Sequence, residues 1–210
     1  MASNQTAGTR SRGRRRVDGV EANARLTASS AAVLLVLLAA EGLTIPFIHR
    51  LLTPHVVIGM VLVPPVLVKL GSTGYRFARY YAGKPAYVSK GPPPALLRLL
   101  GPFVVVLTLV LFGSGIALLF AVGHWRSTLQ LLHKASFVLW FGAMAIHVLA
   151  HLGEVARLAP RDWYRRRMGD LAGTGARQWL LVGSLTAGVL LGAVFASKVG
   201  LFLSHGGFGH

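Results

Sequence analysis

The chain has 210 residues, 53% of them hydrophobic, with six acidic residues against 22 lysines and arginines and no cysteine. Charged residues make up 13% of the chain, against about a quarter in soluble domains. The apolar residues fall in blocks long enough to cross ~30 Å of hydrocarbon. The composition therefore reads as an integral membrane protein and not a nucleic-acid binder, in spite of a formal net charge of +16. Without cysteine there are no disulfides, thiolate ligands, iron–sulfur clusters or covalent haem attachment through Cys-x-x-Cys-His.

Residues 1–26 are polar and arginine-rich, and are expected to form a disordered basic tail. A cleaved signal peptide does not fit, because Glu41 stands where small residues would be required. Five apolar segments follow, over 27–48, 54–72, 94–122, 127–158 and 178–203. They predict an all-α bundle of five transmembrane helices. Residues 27–160 form a four-helix core, 161–177 a basic loop, and 178–210 a fifth helix with a short tail. Thr53-Pro54 gives the second helix an N-cap and a proline at its first position. Short connections make the first and second helices, and the third and fourth, antiparallel neighbours.

Arginine and lysine are concentrated in the first 25 residues, in the second connection (Arg76, Arg79, Lys84, Lys90, Arg98) and in the fourth (Arg157, Arg161, Arg165, Arg166, Arg167, Arg177). The opposite side has little beyond Arg50 and Arg126. By the positive-inside rule the N-terminus and both basic loops are cytoplasmic, and residues 204–210 are external in a multi-pass protein of the cell membrane. The basic charge is thus a topology signal and a contact for anionic lipid, not a nucleic-acid surface.

The fourth segment carries His133, His147 and His151. At ~100° and ~1.5 Å per residue these lie on one helix face at two depths. Ionisable side chains in hydrocarbon are functional candidates by default. His55, at the outer start of the second helix, shares the depth of His133. A haem held between two helices needs such a pair of imidazoles. Gly59, Gly113 and Gly115 remove side chains beside this level, which would admit a flat macrocycle or simply allow close helix packing. Gly188, Gly192 and Ala187 on the fifth helix form a packing seam that could serve a helix–helix oligomer. His49, His124, His205 and His210 lie at or beyond helix ends and are expected to be solvated. Glu41 has three readings: a proton acceptor, a partner for an axial histidine's N–H, or a salt bridge to Lys134 or Arg50. Lys69 and Lys198 are expected to snorkel.

The stretches "HKASFVLWFGAMAIH" (133–147) and "LFGSGIALLF" (111–120), with His55 at the outer start of the second helix, resemble the cytochrome b subunits of bacterial membrane oxidoreductases, the group that serves hydrogenase and formate dehydrogenase. The resemblance covers roughly residues 28–156. It implies a four-helix core binding two b-type haems through histidines, with His55 and His133 as iron ligands of the outer one and His147 belonging to the inner one. A quinone substrate and a redox partner subunit are implied as well. The chain departs from the family where "LTASSAAVL" (26–34) supplies no histidine opposite His147. One haem is therefore expected, and a second lacks a ligand. The expected function is electron transfer between a quinone pool and a partner oxidoreductase subunit. The alternatives are a membrane scaffold or assembly factor without haem, and a small transporter or metal carrier using His147, His151 and Glu154.

Overall fold

The computed structural model describes residues 3–89, 95–162 and 174–204. These form α1 (Ser3–Thr44), a 3-10 turn (Ile45–Phe47), α2 (Ile48–Tyr81), the short α3 (Pro85–Val88), α4 (Ala95–Leu118), α5 (His124–Leu158), a second 3-10 turn (Ala159–Asp162) and α6 (Thr174–Ser204). No strand occurs among the described residues. Four helical stretches are long and apolar enough to cross a membrane: Gly19–Tyr81, Leu97–Leu118, His124–Leu158 and Gly175–Ser204. The first contains both α1 and α2, which the 3-10 turn at Pro46 folds into an antiparallel pair. Large apolar side chains such as Leu149 and Trp179, 72% and 75% exposed, point outward from these helices. That arrangement suits lipid and not water.

α1 packs on both α2 and α5, α4 packs on α5, and α6 lies along α2. The four helices α1, α2, α4 and α5 thus form the core, with α6 added outside α2. α2 and α4 share only a thin seam. At the end holding the α1–α2 and α4–α5 turns, Val56, Leu119, Val199 and Phe202 cluster with Leu52, Leu118 and Phe195. Buried Arg126 clamps this end by donating to the Phe202 carbonyl at 2.6 Å, with its guanidinium 4.0 Å from the Phe202 ring. Mid-bundle, Val104, Leu107, Trp140 and Ala143 pack with Leu38. There Trp140 Nε1 donates to Thr108 Oγ1 at 2.9 Å. At the opposite, basic end, Ala28 packs on Leu158 and Ala159.

Several boundaries differ from the sequence reading. The segment expected to be a disordered tail is helical from Ser3, and from Gly19 onward it belongs to the packed bundle. Val20 and Arg25 are buried, Ala24 joins the Ala28–Leu158 cluster, and Asn23 donates to the Ser72 carbonyl at 3.1 Å. Small and helix-favouring residues there let α1 continue against α2 and α5. The second helix runs to Tyr81, nine residues past its expected end. Nothing stops it before Gly83, whose φ of 67° only glycine adopts readily. At its other end the Thr53-Pro54 signal appears as a kink. Leu51 is non-helical (φ −108°, ψ 24°), because Pro54 lacks the N–H that would continue the preceding turn. α6 begins at Thr174, inside the expected basic loop, most of which lies outside the described residues, as do His205 and His210.

Gly188 and Gly192 face α2 within the chain. A Cβ on Gly188 would lie 2.5 Å from the Val61 carbonyl oxygen, and one on Gly192 3.1 Å from Val57. The expected seam is therefore filled by α2. Gly188→Ala should destabilise the protein by about 1–3 kcal/mol, because backbone must move to admit the methyl. Gly183→Ala, which meets nothing within 4 Å, should be neutral or slightly stabilising. Thermal unfolding of both variants in detergent checks the contrast.

Candidate functional site

His55 stands just beyond the Leu51 kink, where α2 comes close to the end of α1. Its Nδ1 lies 2.9 Å from Thr44 Oγ1 and 3.1 Å from Glu41 Oε1. The Thr44 hydroxyl donates to the Glu41 carbonyl at 2.6 Å, so it meets the imidazole as an acceptor. A hydroxyl lone pair and a carboxyl oxygen together call for a proton on Nδ1. His133 is held the same way from α4. The Leu111 carbonyl, which can only accept, lies 3.1 Å from its Nδ1, and Ser114 Oγ lies at 3.1 Å. The Ser114 hydroxyl donates to the same Leu111 carbonyl, again leaving a lone pair for the imidazole N–H. In both rings this network assigns the proton to Nδ1 and the lone pair to Nε2. Neither Nε2 has a hydrogen-bond partner among the described residues.

The two rings meet edge to face, with centroids 6.4 Å apart and planes at 86°. Two imidazoles bound through Nε2 to opposite sides of one metal, with bonds of about 2 Å, would place their centroids about 6.3 Å apart. α2 packs chiefly on α1 and α6, and α5 chiefly on α4 and α1. The pair therefore meets between two helices with little direct packing on each other. Among the described residues, no group of three or more His, Asp or Glu side chains is disposed to hold a bare ion. Two neighbouring imidazoles without a third protein donor would suit a metal held mainly by a macrocycle of its own. No family model, curated protein or solved structure matches the chain. The chemical reading of this site therefore rests on its geometry.

The glycines near the site have roles more specific than clearance. A Cβ on Gly115 would stand 3.0 Å from His133 Cε1, so its absence lets the ring settle against α4. A Cβ on Gly59 would meet Glu41 Oε1 at 3.4 Å, an ordinary contact. Gly113 faces open space, with nothing within 4 Å of its added Cβ.

Glu41 pairs with His55, not with Lys134 or Arg50, and its Oε2 is buried without a partner. Of its three readings, the geometry brings together the carboxyl group and an imidazole N–H. Thr44 and the Leu111 carbonyl carry no signal in the sequence reading, and Ser114 enters it only within the glycine-bearing stretch 111–120.

His147 has no facing imidazole. Its ring neighbour is His151, 4.8 Å away on the same helix, and its Nδ1 is buried and unpartnered. His151 in turn approaches Glu154 at 3.8 Å. In the basic half of α1, the most deeply buried residues are Ser29 and Ser30, and no histidine lies there. Lys69 does not snorkel freely: its Nζ donates to the Thr27 carbonyl at 2.9 Å, joining α2 to α1.

Replacing Glu41 by Leu should strip one acceptor from the His55 N–H and destabilise the chain by about 1–3 kcal/mol. Glu41→Gln, which keeps a carbonyl oxygen at the same reach, should lose less than half as much. Thermal unfolding in detergent compares them. Equal losses would mean that the contact at Oε1 does not matter.

Proposed function

We propose that this chain is a membrane electron-transfer protein in which His55 and His133 hold one b-type haem from opposite sides. The single observation carrying the proposal is the adjacent pair of imidazoles with centroids 6.4 Å apart, each with its Nδ1 engaged by another helix. Anchoring one nitrogen by a carbonyl or carboxyl group fixes the tautomer, aims the other nitrogen and raises its basicity. When bound, haem supplies a one-electron couple between a membrane quinone and a partner oxidoreductase subunit. The protein's own part is to orient both ligands and to keep water from them, with Trp140, Leu107 and their neighbours packed beside α4 and α5. One haem is proposed, because His147 has no counterpart on α1.

In this reading the basic end lies at the cytoplasmic face, as the arginine distribution favours, and the hairpin end with His55 and His133 lies toward the outer face. A second reading has support of its own. The Nδ1 contacts already cross-link α1 to α2 and α4 to α5, which is what histidines would do in a haem-free scaffold.

A reduced-minus-oxidised spectrum of protein from haem-replete cells separates the two readings. The expected result is a sharp α-band of a low-spin b haem. It should be lost or strongly broadened in His55→Ala and His133→Ala, and kept in His124→Ala and His147→Ala. A colourless wild type would favour the scaffold.

Two further outcomes follow from the same reading. The pyridine haemochrome assay should give about one haem per chain. Reporters fused in the loops 82–94 and 163–173 should read as cytoplasmic, and one at residue 210 as external.

A further inference from the structure

The basic end of α2 carries an assembly that the histidine site does not use. From Leu52, about twenty residues of α2 cover ~30 Å of hydrocarbon, which brings the helix to Gly71 and Ser72. The rest of α2, with the α3 turn, then lies at the level of lipid headgroups. Its sequence there, "TGYRFARYYAGKPAYV", alternates aromatics with cations. Phe77 and Tyr81 are exposed with their rings 4.4 Å apart, a suitable apolar foot at a membrane boundary.

Behind that foot the Arg79 guanidinium lies 5.4 Å over the Tyr75 ring, and Tyr75 packs against buried Tyr87 of α3 at 6.1 Å. Arg76 and Arg79 both exert their charge on the Tyr87 hydroxyl. Arg98, from the start of α4, donates to Tyr81 Oη at 3.3 Å, and exposed Lys84 caps α3. Arg76, Arg79, Lys84 and Arg98 thus share this end of the bundle with no counterion from their own part of the chain, because no Asp or Glu occurs between Glu41 and Glu154. On the facing α1, Glu21 is paired with Arg25 at 2.8 Å. Arg79 Nε, moreover, is buried with no hydrogen-bond partner, a charged donor shielded from water and lacking an acceptor.

We propose that Arg76, Arg79, Lys84 and Arg98 bind the phosphate of an anionic phospholipid in the leaflet at the basic end, with the acyl chains lying along Phe77 and Tyr81. Guanidinium groups suit phosphate oxygens, aromatic rings suit the glycerol level, and the depth matches that of a headgroup. The site does not depend on whether the chain binds haem.

The test uses the full chain in non-ionic detergent and follows the unfolding midpoint during titration with dioctanoyl phosphatidylglycerol, dioctanoyl phosphatidylcholine or inorganic phosphate. Phosphatidylglycerol should raise the midpoint saturably, and the other two should not. In Arg76→Gln/Arg79→Gln the same shift should need roughly twentyfold more of the anionic lipid. Lys198→Gln, at the hairpin end, should titrate as wild type. If the first pair does not fold, the exposed pair Lys84→Gln/Arg98→Gln should still weaken the response severalfold. The proposal is overturned if both lipids act alike, if phosphate alone reproduces the shift, or if the folded variants titrate as wild type.

Discussion

Within hydrocarbon, a polar nitrogen finds only the partners that the chain itself brings, and His55 and His133 each have one nitrogen so provided. The partners are a carboxyl group, two hydroxyls and a backbone carbonyl, all placed as acceptors. This has a directional result. Satisfying Nδ1 commits the proton to that side of the ring and turns the bare lone pair of Nε2 away from the supporting helix. The two supports sit behind their rings on different helix pairs, one on α1 and one on α4. The interior chemistry of the bundle thus follows from where four acceptors are anchored.

The rest of the architecture keeps those anchors in register. α6 lies against α2 so closely that Gly188 and Gly192 cannot carry a side chain without disturbance. Arg126 ties the start of α5 to the end of α6, and the bond from Trp140 to Thr108 ties α5 to α4 near mid-bundle. Each link satisfies a polar group that would otherwise be stranded in an apolar medium. At the basic end, Lys69 and Asn23 do the same between α1 and α2 by donating to backbone carbonyls.

Much of this was legible in the sequence, because long apolar runs, their order and the depth of each histidine follow from helical rise alone. The similar depth of His55 and His133 needed only the two short turns, and their rings lie 6.4 Å apart. What sequence reasoning missed were the supports. Thr44 and Ser114 read as ordinary helix residues, and the Leu111 carbonyl is invisible to any side-chain pattern. Ser114 enters the sequence reading only as part of a glycine-bearing stretch, because it lies four residues before the end of α4 while His133 lies nine past the start of α5. Glu41 was recognised as anomalous, but three partners were in reach on paper, and only packing selects His55. The end of α2 was misplaced for a different reason. Hydropathy marks where a membrane segment stops being apolar, not where its backbone stops being helical, and Tyr75–Tyr81 is polar enough to leave the first pattern while keeping the second.

The contacts behind each ring are also close in sequence. Thr44 precedes His55 by 11 residues, and Ser114 and Leu111 precede His133 by 19 and 22. Each helical hairpin therefore contains one imidazole together with everything that aims it, within a loop that costs little entropy to close. The pairing of His55 with His133, by contrast, spans 78 positions and the long connection through α3. During membrane insertion the α1–α2 and α4–α5 hairpins can each set their own tautomer before they have met. What remains for the last docking event is to bring two finished halves face to face.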